Sequence, residues 1–176
     1  MDKNVIDDDV SPARIKPKSQ LTWNTELICK DVEVTSEKQI TFIRKDKFRY
    51  AISNESFESG FHEFKLKIVE MNIDLQDASI GISWVNERNM DKGVYYFEKS
   101  HIYCNAHPTI TDSKRRLTTN VPKFVEGDII GVTVDFDNKT ISFYVNDSMV
   151  FSTELTNGDT PLHFIIIEEC RTDQNN

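Results

Sequence analysis

Apolar residues in this chain recur at every second position, and they do so in several separate windows. Between Phe61 and Ile68, the residues Phe64, Leu66 and Ile68 fall on one side and Glu63, Lys65 and Lys67 on the other. Successive strand side chains point to opposite faces, so this alternation predicts a strand with one face buried and one in water. Ile80, Ile82 and Trp84 repeat it, as do Ile130, Val132, Val134 and Phe136, and then Ile141, Phe143 and Val145. The last two runs flank Asp137-Asn138-Lys139-Thr140, a short polar turn, and the arrangement predicts an antiparallel hairpin. In this register Phe143 is a core residue and Tyr144 faces the other way. A second turn at Asn146-Asp147-Ser148 leads into Met149-Val150-Phe151. After Asn157-Gly158-Asp159 and Pro161, the run Leu162-His163-Phe164-Ile165-Ile166-Ile167 is nearly all apolar, as expected of a strand buried on both faces.

No window carries a helical repeat over ten or more residues. Many short strands separated by turn signals imply an all-β sandwich or barrel. Residues 1 to about 19 lack any apolar period, contain Pro12, Pro17 and the run Asp7-Asp8-Asp9, and read as a disordered polar leader. The expected domain covers 20–172. Its least regular stretches run from Val85 to Gly93 and from Glu98 to Pro122, and both read as long loops.

The chain has 176 residues, a single-domain length, and 38% of them are hydrophobic, enough for one core without staples. Its formal charge is −8, which repels a phosphate backbone on average and disfavours nucleic acid as a partner. The one dense basic cluster, Lys114-Arg115-Arg116, reads as a solvated loop. Cys29, Cys104 and Cys170 are few, odd in number and far apart, an arrangement that suits a reducing compartment. Nothing near the N-terminus resembles a signal peptide, and no run approaches the ~20 apolar residues of a membrane span. A monomer in the cytoplasm or nucleus, with no membrane partner, is therefore expected.

Several segments resemble the SPRY domain family. Phe57-Glu58-Ser59-Gly60-Phe61-His62-Glu63-Phe64 is similar to the family's opening, and Ile80-Gly81-Ile82 to a short strand signature that follows. The strongest resemblance is Glu126-Gly127-Asp128-Ile129-Ile130-Gly131-Val132, through Asp135-Phe136-Asp137, to Ile141-Ser142-Phe143-Tyr144-Val145-Asn146. Leu162-His163-Phe164 fits the closing strand and Trp23 an early tryptophan. The resemblance spans about Leu21 to Cys170 and is poor between Val85 and Phe124. It departs from the pattern at Asn146-Asp147, where the family has a glycine, and at Leu162-His163, where a proline is missing. The resemblance implies two antiparallel sheets packed as a jelly-roll-like, concanavalin-like sandwich. It also implies a non-catalytic module that binds a protein or peptide partner through variable loops.

Residue chemistry agrees with that expectation. His101, Cys104 and His107 are spaced like metal ligands, but on a strand Cys104 points away from the two histidines. Asp135 and Asp137 flank a turn and read as structural, because a calcium loop needs a glycine and a glutamate where Thr140 and Asn146 stand. No nucleophile elbow or phosphate loop occurs, and no catalytic residue, metal or cofactor is expected. His62 and His163 read as surface or core-edge residues. Gly127-Asp128 reads as a turn, and Gly131, inside a strand, as a bulge or a close approach. The expected partner contacts are Asn86, Arg88, Lys92, Tyr95, Tyr96, Lys114, Arg115 and Arg116, which bring arginine and aromatic anchors to the irregular stretches. The early loop around Thr35 to Gln39 is the reserve site. The alternative function is a lectin-like jelly roll stacking a glycan on Trp84, Tyr95 and Tyr96.

Overall fold

A computed structural model describes residues 22–26, 32–36, 39–42, 49–70, 78–84, 100–105, 108–112, 115–155 and 161–168. Twelve strands run in order: β1 Val32–Ser36, β2 Gln39–Phe42, β3 Arg49–Ile52, β4 Phe61–Lys67, β5 Ala78–Trp84, β6 Ser100–Cys104, β7 Thr109–Asp112, β8 Arg115–Thr118, β9 Ile129–Asp135, β10 Thr140–Val145, β11 Ser148–Glu154 and β12 Leu162–Glu168. There is no helix among the described residues. β1 and β2 form a hairpin; the other strands build a four-stranded sheet, β11-β10-β9-β4, and a six-stranded sheet, β3-β12-β5-β6-β7-β8. Every pairing is antiparallel.

The alternating runs place their apolar members between the two sheets. Phe64 of β4, Val132 and Val134 of β9, and Ile141 and Phe143 of β10 share one buried cluster with Ile80 and Ile82 of β5, Tyr103 of β6 and Phe164 of β12. Aromatic rings bridge the layers. Phe64 stacks on Phe164 with centroids 4.6 Å apart, and Tyr103 meets Phe143 edge-on at 6.1 Å. Trp23 closes one side, forming an isolated bridge with Ser53 and meeting Phe64 edge-on. β12 is buried on both faces as its sequence predicts. Phe164 and Ile166 join the main core, while Ile165 and Ile167 form a second cluster with Tyr50 and Ile52.

The turns follow their sequence chemistry. Lys139 (φ 51°) closes the β9–β10 hairpin, and Asn146 and Asp147 (φ 50° and 62°) form the two-residue β10–β11 turn. Both central residues of that turn are left-handed, as a type I′ hairpin requires, so asparagine and aspartate replace the family's glycine without loss of geometry. Gly131 holds no bulge. It pairs with Tyr144, whose Cβ would lie 3.2 Å from any Cβ added there, so close approach is the reason for glycine. The bulge falls instead between Phe143 and Tyr144 on the β11 side.

Two sequence expectations are corrected. The stretch from Glu98 to Pro122 is no long loop, because it carries β6, β7 and β8. The basic cluster accordingly places Arg115 and Arg116 on β8. The reserve site at Thr35 to Gln39 is the β1–β2 hairpin, with Thr35 inside β1 and Gln39 inside β2.

Candidate interaction surface

The 85–99 connection leaves β5 after Trp84 and rejoins the sheet at Ser100. Ser83 is the register partner of Ser100, so both ends of that connection meet at one end of the six-stranded sheet. On the next strands His101 pairs with Asp112, and Asp112 with Arg115, which opens the short β7–β8 connection at the same end. On the other flank Trp84 pairs with Leu162, and Leu162 bridges Phe57. Neighbouring strands lie about 4.8 Å apart, so the row from β12 to β8 spans roughly 19 Å, the length of about six extended residues.

This Trp84 end is lined by polar groups on a rigid base. Ser83, Ser100, His101 and Asp112 are all buried. The indole ring of Trp84 packs on the core, and its Nε1–H is buried without a hydrogen-bond partner among the described residues. Trp84 is half-buried, and it is the one member of the expected glycan platform among the described residues. Arg116 projects into solvent.

The opposite end is braced by side chains. Asn105 donates through Nδ2 to the Phe124 carbonyl and accepts from the Phe124 amide through Oδ1, at 2.9 and 2.8 Å. The Tyr103 hydroxyl donates to the Pro122 carbonyl. Burial pushes the Tyr103 phenol up to about 12, with the nearby Asp128 charge adding to the shift. Gly127 turns at φ 93°, and Asp128 accepts from the Val125 amide at 2.8 Å and from Asn146 Nδ2 at 2.7 Å. Asn146 Oδ1 in turn accepts from the Ile129 amide at 2.9 Å. The most recognisable sequence segment, from Gly127 to Asn146, is thus a structural clasp.

The residues with catalytic or ligating chemistry are also built into turns and strands. Asp135 accepts from the backbone amide and Nδ2 of Asn138, at 3.0 and 2.7 Å, and braces the hairpin turn. His62 bonds the Ser59 carbonyl and packs on Phe57, and His163 bonds the Ser53 carbonyl. His101 is buried on β6, Cys104 is half-buried three positions on, and His107 lies outside the described residues. Among the described residues no three His, Cys, Asp or Glu side chains are placed to hold a metal ion.

Of the expected partner contacts, Asn86, Arg88, Lys92, Tyr95, Tyr96 and Lys114 lie outside the described residues, as do Cys29, Cys170, the leader 1–19 and the 169–172 end of the expected domain. Arg115 is placed on β8 by its backbone, and Arg116 is exposed on the same strand. Sequence reasoning missed the Asn105 brace. A lone polar residue after a strand carries no local signal for a bond to a backbone 19 positions away.

A model of the SPRY domain matches residues 61–166, more than half of the chain. The chain belongs to the SPRY domain family. Solved SPRY structures share the fold. The SPRY domain of human HERC1 is 17% identical, with 87% of this chain and 99% of that chain covered and a TM-score of 0.64. The TRIM65 PSpry domain is 14% identical, covers 87% and 93% of the two chains, and gives 0.62. A human SPRY domain structure is 16% identical, with 80% and 90% covered and a TM-score of 0.59. At these identities the likeness is one of fold. No curated protein sequence matches significantly. SPRY domains are known as a family of protein-interaction modules and are generally non-catalytic.

Proposed function

We propose that this SPRY domain is a non-catalytic interaction module of the cytoplasm or nucleus. It docks a peptide or surface of a partner protein at its Trp84 end. The observation that supports this reading is the strand register, which brings the 85–99 connection and the β7–β8 connection to one end of a rigid sheet. Connections held by a packed scaffold are where recognition residues usually sit, because the strands themselves are committed to the core. Arg88, Tyr95 and the Lys114–Arg116 cluster supply the anchor types that dominate protein interfaces.

The test is selection of peptides from a displayed random library on the full folded chain. Selected peptides should bind the native chain and not the heat-denatured one. The double substitution Arg88→Ala with Tyr95→Ala should weaken that binding at least tenfold, about 1.4 kcal/mol, while the circular dichroism spectrum stays unchanged. Undiminished binding by the folded double variant moves the site elsewhere on the domain.

A further inference from the structure

Thr22 is fastened by one carboxylate. Its backbone amide donates to both oxygens of Glu55, at 3.2 and 2.9 Å, and its hydroxyl donates to Oε1 at 3.0 Å. Glu55 forms no ion pair among the described residues, so its carboxylate serves this contact alone there. The next residue, Trp23, is buried in the main core and meets Phe64 edge-on. Yet residues 22–24 belong to no strand. An isolated bridge ties Trp23 to Ser53, through the Asn24 amide on the Ile52 carbonyl at 2.9 Å and the Asn54 amide on the Thr22 carbonyl at 2.8 Å. Two such backbone bonds do not hold a segment in water by themselves, so the indole and the Glu55 contact keep it seated.

The receiving side is anchored separately. Ser53 Oγ donates to the Glu55 carbonyl at 2.7 Å and accepts from the Phe164 amide at 3.0 Å, which ties Glu55 to β12 whether or not Thr22 is in place. The segment can therefore leave as a unit while the sheets persist. Reach and consequence coincide at Thr22. Ser53 and Ser142 are buried. Ser56, Ser148 and Ser152 are exposed, and none of them contacts a carboxylate among the described residues. Thr22 is half-buried, so opening three residues presents its hydroxyl to an enzyme.

Phosphorylation turns a hydroxyl donor into an acceptor group carrying about −1.5 to −2 charges at pH 7. Placed against Glu55, it replaces a charge-assisted bond with like-charge repulsion. We propose that Thr22 is a phosphorylation site whose modification releases the Trp23 segment from the core. A protein kinase supplies the step, with a nucleoside triphosphate as donor. The bond from Thr22 Oγ1 to the terminal phosphorus forms, and the bond from that phosphorus to its bridging oxygen breaks. The nucleoside diphosphate leaves, and the hydroxyl proton passes to the base of the kinase. The departing indole uncovers the Phe64 ring that it meets in the unmodified chain.

The experiment uses the full chain with phosphothreonine installed at position 22 by amber suppression, read by nitrogen–proton correlation spectra. The Trp23 indole cross-peak should move to the position of a solvent-exposed tryptophan. Amide exchange at Asn24 and Asn54 should speed at least tenfold, while the cross-peaks of β9 and β10 stay still. Glu55→Gln in the phosphorylated chain should reseat the segment, because the opposing charge is gone. Thr22→Val, which removes the hydroxyl bond and adds no charge, should leave Trp23 in place. In a separate arm, the unmodified full chain is treated with ATP and a panel of purified serine/threonine kinases, and mass spectrometry should find phosphate at Thr22. A seated Trp23 in the phosphothreonine chain, release that Glu55→Gln does not reverse, or loss of the whole folded spectrum overturns the proposal. So does a panel that leaves Thr22 unmodified, or release by Thr22→Val, which would make the added charge irrelevant.

Discussion

Phe143 shows how a single residue ties the sequence pattern to the core. It is fully buried, meets Tyr103 across the sandwich, and shares its face with Ile141, while Tyr144 beside it is half-buried on the outer face above Gly131. Phe143→Ala should therefore cost about 3–5 kcal/mol in urea unfolding, and Tyr144→Ala clearly less. Gly81 makes a different demand, since a Cβ there would collide with the His101 carbonyl oxygen on the paired strand. Backbone cannot yield as a side-chain tip can, so Gly81→Ala should reach at least the upper end of the roughly 1–3 kcal/mol typical of overpacking. Gly60→Ala meets open space and only the left-handed φ of 79°, and should be milder. Tyr103 gives a pH signature. Its phenol is raised to about 12 from the ordinary 10, so the group favours the fold below pH 10 and that contribution is lost as pH climbs toward 12. Ultraviolet titration should show one of the five tyrosines ionising late, and Tyr103→Phe should flatten the fall in stability above pH 10.

At the scale of elements, β4, β5, β9, β10 and β12 were legible because apolar side chains carry their alternation. β6, β7 and β8 were not, and the burial pattern gives the reason. His101 and Asp112 are buried on the same strand faces as Tyr103 and Ile110, and Ser100 and Thr109 are buried on the opposite face, so polar residues fill buried positions on both sides and the two-residue period disappears from the hydropathy. Turns were legible wherever Asn, Asp or Gly must adopt positive φ, as at Gly127 and at Asn146-Asp147. Their long-range bonds were not, since the Asp128–Asn146 clasp joins residues 18 positions apart. The clasp has a checkable energy. Asn146→Ala should lose both its side-chain bonds and its tolerance of left-handed backbone, costing on the order of 1–2 kcal/mol. Asn146→Gly should recover the backbone part, and a double-mutant cycle with Asp128→Ala should show coupling above about 0.5 kcal/mol in chemical unfolding.

For the whole molecule, the two poles of the sandwich are built differently. The Asn105–Asn146 end is closed by side-chain braces and exposes the scattered apolar residues Val69, Val125, Ile129 and Met149. The Trp84 end gathers connections, buried polar groups and the start of β8. Of the proposed docking end, the sequence suggested Val85 to Gly93 and the basic cluster, but it could not show that distant strands bring the ends of their connections together. That convergence depends on the register of β5 with β6 and of β7 with β8, which no local pattern encodes. The most direct test of the account is a nitrogen–proton correlation spectrum of the labelled full chain, titrated with a library-selected peptide. Cross-peaks of Ser83, Ser100, Asp112, Arg116 and the Trp84 indole should move while those of the opposite end stay still. Shifts confined to Val69, Val125, Ile129 and Met149, with the Trp84 end unmoved, would contradict it.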